Sequence, residues 1–202
     1  MSTRPDWFLR ALPLAIVVAA GCTAQPEAPP PPPAPPYTTT ATVKDIMQLI
    51  VDPAADEVWQ AVMTVHSAQG TVETVPRSDE DWLKARRGAM TLIEASNLLM
   101  TPGRHVAKPG EKSEAPGVEL EPAEMEANIV KDLPAFHKAA LGLHDAAVQA
   151  LGAIDAKDAL KLFELGEAIE MACEHCHSRY WYPNEKIPTF PDPPAPPPAA
   201  SK

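Results

Sequence analysis

A run of five residues near the C-terminal end, Cys173-Glu174-His175-Cys176-His177, limits the structures open to this chain more than any other segment. Two thiols three residues apart and a following imidazole form the pattern by which haem is attached covalently, because the thiols add to the porphyrin vinyl groups and the histidine binds the iron. On a helix of about 100° per residue, Cys173 and Cys176 lie about 60° apart, and His177 lies about 40° beyond Cys173. All three side chains therefore point to one side, where one macrocycle can take all three bonds.

Three other uses of these residues stay open. A zinc site needs four ligands, but Cys22 is the one further cysteine in the sequence and no second Cys or His pair exists. A thioredoxin-like pair lies at the start of a helix that follows a strand, whereas Cys173 and Cys176 lie at the end of a predicted helix in a chain without convincing strands. A disulfide between Cys173 and Cys176 is the third alternative. We expect one covalently bound haem c.

Residues 1–21 are typical of a secretion signal of the lipoprotein type. Two arginines precede an apolar run that is about half as long as the ~20 residues of a membrane-spanning helix. The run ends in Val18-Ala19-Ala20-Gly21-Cys22, which resembles a bacterial lipobox except at Ala19, where leucine is commoner. We expect Cys22 to be acylated and to anchor the protein to a membrane, with ordinary cleavage near Ala20 as the alternative. Both routes lead to the periplasmic side of the bacterial cell envelope.

Two proline-rich segments flank the predicted domain. Most of the 25 prolines lie in residues 22–41 and in the last part of the chain, residues 185–202. Such sequences favour extended polyproline II and cannot build a helix or a sheet, so we expect a linker and a disordered tail. Residues 42–184 remain as one folded domain, long enough to bury a single core.

The charge of the chain bears on its partners. A formal net charge of −10 argues against nucleic acid as a partner. It is compatible with docking to a basic redox protein, because opposite charges steer association.

The first helical stretch is predicted to begin at Thr42. Thr42 is an N-cap residue, and Asp45 three residues later can return the bond. Asp52-Pro53 interrupts the stretch, so we expect either a kink or a second segment that is capped by Asp52 and continues to about Val65. Residues 70–77 are predicted to be a loop.

Three more helices are predicted after this loop. Ser78 caps the second helix, and residues 104–120 form a long polar connection to the third, which starts at Glu121-Pro122 and bends at Pro134. Asp155 caps the fourth helix, which leads into the C-x-x-C-H motif. We therefore expect an all-α chain, an antiparallel four-helix bundle with covalently bound haem near its C-terminal helix.

A C-x-x-C-H motif on the last of four helices resembles the class II cytochromes c, the cytochrome c-prime group and its low-spin relatives. The resemblance extends from Thr42 to about Tyr182. The segment Trp181-Tyr182-Pro183-Asn184 departs from the better-known members and indicates a divergent branch. The resemblance implies that the first helix crosses the distal face of the haem, where a methionine can bind the iron. It also allows a homodimer formed through the first two helices.

Met47 occupies the position that matches this methionine. A thioether favours ferrous iron and a stable six-coordinate centre, which suits an electron carrier. The alternative for Met47 is packing, because methionine fills gaps in cores well. With Met47 and His177 as iron ligands, the expected function is that of a monohaem one-electron carrier, not an enzyme, serving redox partner proteins in the envelope.

Other functions follow if Met47 does not bind iron. The resemblance then implies a five-coordinate haem protein that binds or scavenges small gases such as NO and CO. A peroxidase-type site is disfavoured because no distal His–Arg pair is evident, and a haem-free lipoprotein with an oxidised C-x-x-C is the last alternative.

Several further residues are predicted to surround the haem. Positive side chains could pair with its propionates, aromatic ones could cover an edge or pack beneath it, and a glycine could make room for the porphyrin or mark a close helix crossing. In that order, they are Lys44, Arg86 and Arg87, then Tyr180 and Trp181, then Gly166. A solvated helix face is the alternative for the three basic residues and is the preferred interpretation of Arg87.

Overall fold

The computed structural model describes residues 37–185, which are mostly helical with one small sheet. The predicted signal peptide, the acylation site Cys22, most of the proline-rich linker and nearly all of the tail lie outside these residues. The elements, in chain order, are helix α1 (Val43–Ile46), a π-helical turn (Met47–Val51), α2 (Asp52–Ala61), strands β1 (Thr64–Ser67) and β2 (Gly70–Glu73), α3 (Asp79–Leu99), α4 (Pro122–Lys131), α5 (Leu133–Asp155) and α6 (Ala159–Tyr180).

The predicted helix starts at Thr42 and Ser78 are confirmed. In each case the hydroxyl accepts a hydrogen bond from the backbone N–H three residues later, and an aspartate at that position accepts one from the backbone N–H of the cap. The partners are Asp45 and Asp81. These reciprocal bonds satisfy backbone donors that have no partner within the helix.

The prediction of an all-α chain without strands is wrong for residues 64–73. Strands β1 and β2 pair antiparallel, with Thr64 opposite Glu73 and Ser67 opposite Gly70. Thr and Val favour the extended backbone, and Gly70 adopts a positive φ of 124° at the turn. Nearly every residue of the hairpin is exposed, so it lacks the alternation of apolar and polar residues by which a strand is recognised in a sequence.

The interruption at Asp52-Pro53 takes a form that was not predicted. The chain stays helical through a π turn, in which the Asp52 N–H donates to the Met47 carbonyl five residues earlier. Asp52 does not cap a new segment, because its backbone is itself helical, and α2 ends at Ala61 rather than near Val65. Proline lacks an N–H and crowds the carbonyl four residues before it, which accounts for a break in the α-helical ladder at this point.

The predicted third helix is divided in two, and the fourth begins later than predicted. Asp132 separates α4 from α5 and accepts a hydrogen bond from the Ala135 N–H, so the proline at 134 begins a helix instead of bending one. Asp155 was predicted to cap the last helix, but it is the final residue of α5. Asp158 caps α6 and accepts from the Lys161 N–H at 2.9 Å.

Four helices contact one another in a closed ring. Helix α2 packs on α3, α3 on α5, α5 on α6, and α6 on α2. Their shared core is rich in alanine, and its largest fully buried apolar side chains are Ile46, Leu92, Leu162, Ile169 and Val58. Small residues let helices approach closely, most of all at Gly88, where a Cβ would lie 2.6 Å from the carbonyl oxygen of Ala54.

The long connection between α3 and α4 holds α1 in place. Backbone N–H groups of Val43 and Lys44 donate to the carbonyls of His105 and Val106 at 2.9 and 3.0 Å. Farther along, the Leu120 N–H donates to the Trp181 carbonyl at 2.8 Å. The connection therefore ties the beginning of the first helical stretch to the end of α6. None of the helices in the described part of the chain is long and apolar enough to cross a membrane.

Candidate cofactor site

The C-x-x-C-H motif lies in the last two turns of α6. Cys173, Cys176 and His177 are half-buried and face a cleft; Glu174 is exposed but also lines the cleft, whereas His175 is exposed and does not. Both cysteines are free thiols. The helix therefore presents the two thiols and the imidazole on one side, as the spacing predicts.

The cleft in front of the motif has a volume of about 380 Å³, within the range of about 300–1,000 Å³ that is usual for cofactor sites. Its lining residues come from the π turn, α2, the end of α3, α5 and α6. Most of the side chains that line it, apart from the motif, are apolar or aromatic: Met47, Val51, Ala55, Trp59, Leu99, Ala139, Ala140, Leu143, Ala172 and Trp181. A largely apolar group matches this lining.

Met47 shares the cleft with His177. It is the first residue of the π turn, packs against the core, and also lines a second cleft of about 210 Å³. Cys176, His177 and Trp181 line both clefts as well. The fold thus brings Met47 to the same space as the motif, and its bond to iron stays a prediction.

Both thiols are held in the protonated form. Burial raises the pKa of Cys173 to about 11, with the nearby carboxylates of Glu170 and Glu174 as weaker causes, and burial raises the pKa of Cys176 to about 11. The C-terminal end of a helix adds negative potential, which also opposes a thiolate. Activated redox cysteines need the reverse, a lowered pKa.

The environment of His177 keeps its imidazole neutral, the form that binds metals. Burial lowers the pKa of His177, while the charges of Glu174 and Glu170 act in the opposite direction. The rings of Trp181 and Tyr182 lie edge-on to the imidazole, with centroids at 4.9 and 5.8 Å.

Glu174 and Tyr182 also approach His177, although the sequence did not predict a role for either at the site. The nearest oxygen of Glu174 lies 3.9 Å from Nδ1 of His177, and the Tyr182 hydroxyl donates to the same oxygen at 2.5 Å. The spacing of three residues between Glu174 and His177 could have indicated the first contact. The second depends on how the chain turns after α6, which has no signal in the sequence.

The predicted propionate partners are only partly brought together. Lys44 lines the second cleft and forms an ion pair with Glu114 at 2.7 Å. Arg86 instead pairs with Asp155, at 2.9 Å, and neither Arg86 nor Arg87 lines one of the described clefts.

Tyr180, Trp181 and Gly166 have distinct positions. Tyr180 is buried and packs edge-on against Phe136, with ring centroids 5.5 Å apart, while Trp181 closes the cleft near His177. Gly166 marks a close approach of helices. A Cβ there would lie 3.3 Å from Cδ1 of Trp59, whose Nε1–H donates to the Gly166 carbonyl at 3.2 Å.

The residues around the cleft fit a covalent haem, because two free thiols and a neutral imidazole open onto an apolar space with a thioether in its wall. Among residues 37–185, no three His, Cys, Asp or Glu side chains are gathered as a group that could hold a metal ion. No protein-family model, no curated protein and no solved structure matches the chain.

Proposed function

We propose that this protein is a monohaem c-type cytochrome that carries single electrons. The observation that supports this most is the common orientation of Cys173, Cys176 and His177 toward an apolar cleft that Met47 also lines. The haem would supply one-electron redox chemistry. Cys173 and Cys176 would hold it covalently, and His177 would bind its iron.

The ring of four packed helices supports the proposed architecture. An antiparallel four-helix bundle of the class II cytochrome c type would use the stretch from α1 to α2 as its first helix, followed by α3, α5 and α6. In this assignment α4 and the hairpin are additions to the bundle. A homodimer remains part of the proposal through the resemblance alone.

Met47 is proposed as the second protein ligand of the iron. The connection between α3 and α4 fixes α1 by two backbone hydrogen bonds, so Met47 at the end of α1 has little freedom to move. An iron with two fixed protein ligands needs little rearrangement when an electron arrives, which suits an electron carrier.

Gas binding is the second candidate function. The second cleft, of about 210 Å³, also reaches Met47 and His177, and it offers space beside the motif for a small molecule. If Met47 only packs against the core, the iron would keep an open position for NO or CO.

The cellular setting is proposed from the sequence. Secretion by residues 1–21 and acylation of Cys22 would place the protein on the periplasmic side of the envelope, where it would exchange electrons with other redox proteins. A Cys22→Ser variant should lose incorporation of radiolabelled palmitate and leave the membrane fraction. Unchanged labelling would contradict the acylation site.

Optical spectra of the purified holoprotein test the central proposal. Wild type should be low-spin, should show a sulfur-to-iron charge-transfer band in the ferric state, and should react little with carbon monoxide. Met47→Ala should lose the band and gain carbon monoxide binding, whereas Met125→Ala, which alters the second cleft alone, should retain both wild-type properties. A high-spin wild type that binds carbon monoxide readily would favour gas binding, and absence of covalent haem after expression with a haem-maturation system would overturn both functions.

A further inference from the structure

Three side chains near the end of α6 form a chain of contacts that ends at His177. The Tyr182 hydroxyl donates to Glu174 at 2.5 Å, and the same carboxylate oxygen lies 3.9 Å from Nδ1 of His177. Within residues 37–185, Glu174 forms no ion pair with Lys or Arg, so these two are the polar contacts of its carboxylate.

The end of the helix brings Tyr182 to this position. The backbone N–H groups of Trp181 and Tyr182 both donate to the His177 carbonyl, at 2.8 and 3.0 Å. These bonds fold the chain back over the last turn of α6, so the ring of Tyr182 reaches Glu174, eight residues earlier. The backbone of Tyr182 is therefore held close to the last turn of α6, from which its side chain reaches Glu174.

A histidine that binds a metal through one ring nitrogen donates a hydrogen bond from the other, and the acceptor tunes the metal. If Nε2 of His177 binds iron, Nδ1 carries the proton and faces Glu174. Closing the distance from 3.9 Å to a hydrogen bond of about 2.9 Å needs a shift of about 1 Å, which the half-exposed side chain of Glu174 can supply.

We propose that Glu174 accepts the hydrogen bond from Nδ1–H of His177 and that Tyr182 holds the carboxylate in place. This inference rests on the proposed function. Glu174 is a positioning residue, since it acts through His177. A carboxylate acceptor gives the imidazole anionic character, which stabilises ferric iron and lowers the midpoint potential.

The matched control is Glu170, a second carboxylate that also lines the cleft and lies one helical turn earlier. Glu170→Gln and Glu174→Gln remove the same charge close to the same site. Both substitutions should raise the midpoint potential through the lost charge, but only Glu174→Gln also replaces a charge-assisted hydrogen bond to the ligand with a weaker neutral one. Tyr182→Phe leaves the net charge unchanged and frees the carboxylate.

The experiment measures the midpoint potential of the full-length holoprotein and its three variants. A second measurement follows solvent exchange of the His177 ring N–H by NMR in the ferrous carbon monoxide adduct, whose iron is diamagnetic. The adduct is prepared in the Met47→Ala background, because the proposed Met47 ligand would otherwise occupy the position that carbon monoxide takes. We expect Glu174→Gln to raise the potential more than Glu170→Gln and to speed the exchange about tenfold, because a charge-assisted hydrogen bond becomes a neutral one. Tyr182→Phe should raise the potential by a smaller amount and speed the exchange.

Equal potentials and equal exchange rates in Glu174→Gln and Glu170→Gln would overturn the inference, because charge alone would then explain both. A Tyr182→Phe protein identical to wild type would overturn the role of Tyr182. These outcomes leave the proposed function intact, whereas a wild-type protein without haem would overturn the proposed function and this inference with it.

Discussion

At Tyr180 the contributions of the aromatic ring and of the hydroxyl to the free energy of unfolding can be measured separately. Its ring is buried against Phe136, but among the described residues its hydroxyl has no hydrogen-bond partner. A buried unpaired hydroxyl costs about 1–3 kcal/mol. Tyr180→Phe should therefore raise the free energy of unfolding of the holoprotein by about 1 kcal/mol, and Tyr180→Ala should lower it by about 3–5 kcal/mol. Urea denaturation followed by circular dichroism measures both.

Trp59 is the control for this pair of substitutions, because its polar group is satisfied. Its Nε1–H donates to the Gly166 carbonyl, so Trp59→Phe should cost about 1 kcal/mol or more, opposite in sign to Tyr180→Phe. If Tyr180→Phe destabilises the protein as much as Trp59→Phe, the Tyr180 hydroxyl has a partner in the holoprotein and the prediction is wrong.

The sequence predicts the residues that would bind the haem more clearly than the residues that surround them. Cys173, Cys176 and His177 were predicted from spacing, and Met47 from a resemblance, because scarce residue types at fixed intervals are visible without a fold. Glu174 and Tyr182 are common residue types, and their contact depends on the turn after α6, which tertiary structure decides.

At the level of elements, the sequence predicted helices well and their interruptions poorly. Capped starts at Thr42 and Ser78 are local, because three or four neighbouring residues satisfy the backbone donors. A proline in the sequence indicates only that the α-helical hydrogen bonds are interrupted, and the local structure that results differs from one proline to the next. At Pro53 it forms a π turn, and at Pro134 it starts a new helix.

The crossing of α2 and α3 depends on Gly88. A Cβ at this position would lie 2.6 Å from the Ala54 carbonyl oxygen and 2.9 Å from Cβ of Glu57. Gly88→Ala gains about 1 kcal/mol of helix propensity, but it forces the two helices apart, and overpacking costs about 1–3 kcal/mol or more. We expect a lower free energy of unfolding, by about 1–2 kcal/mol.

Gly142 in α5 is the matched control for Gly88, since no heavy atom lies within 4 Å of a Cβ built there. Gly142→Ala should raise the free energy of unfolding by about 0.5–1 kcal/mol through helix propensity alone. Chemical denaturation of both variants measures the difference. A stabilising Gly88→Ala would contradict the close approach of α2 and α3.

Asp45, at the start of α1, should make the stability of the protein depend on pH in the acid range. A hydrogen bond from Lys108, followed in strength by those from Thr42, lowers the pKa of Asp45 to about 2. A carboxyl group whose pKa is lowered on folding stabilises the fold above its unfolded pKa of about 3.9, and this contribution is lost as the pH falls through about 2. The difference in thermal midpoint between wild type and Asp45→Asn should therefore be constant above about pH 5 and shrink between about pH 4 and 2.

A Lys108→Met variant checks the cause of this dependence. It removes the largest influence on Asp45, so the pKa of Asp45 in the folded state should rise toward its unfolded value. The loss of stability should begin at the same pH as in wild type, but it should be smaller and should end at a higher pH. Identical pH profiles of wild type and Lys108→Met would show that the ion pair with Lys108 does not act on Asp45.

The whole molecule and the surroundings of the cleft are both negatively charged. The chain carries a formal charge of −10, and the carboxylates of Asp52, Glu170 and Glu174 line the cleft of the motif. Around the proposed haem, such an acidic approach would attract cations and repel anions over distances of about one Debye length. The proposed cytochrome should therefore discriminate between redox partners by their charge before any contact forms.

Two inorganic probes of opposite charge test this discrimination with the full-length holoprotein. The rate of electron exchange with hexaammineruthenium(III) should fall about tenfold or more as salt is raised from about 10 mM to about 500 mM, because screening removes the attraction. The rate with ferricyanide should rise over the same range, because screening removes a repulsion. Stopped-flow absorbance of the haem band measures both rates. If both rates change in the same direction with salt, the surface around the proposed haem does not carry the negative charge of the whole molecule. A docking partner would then have to be recognised by shape and apolar contact and not by positive charge.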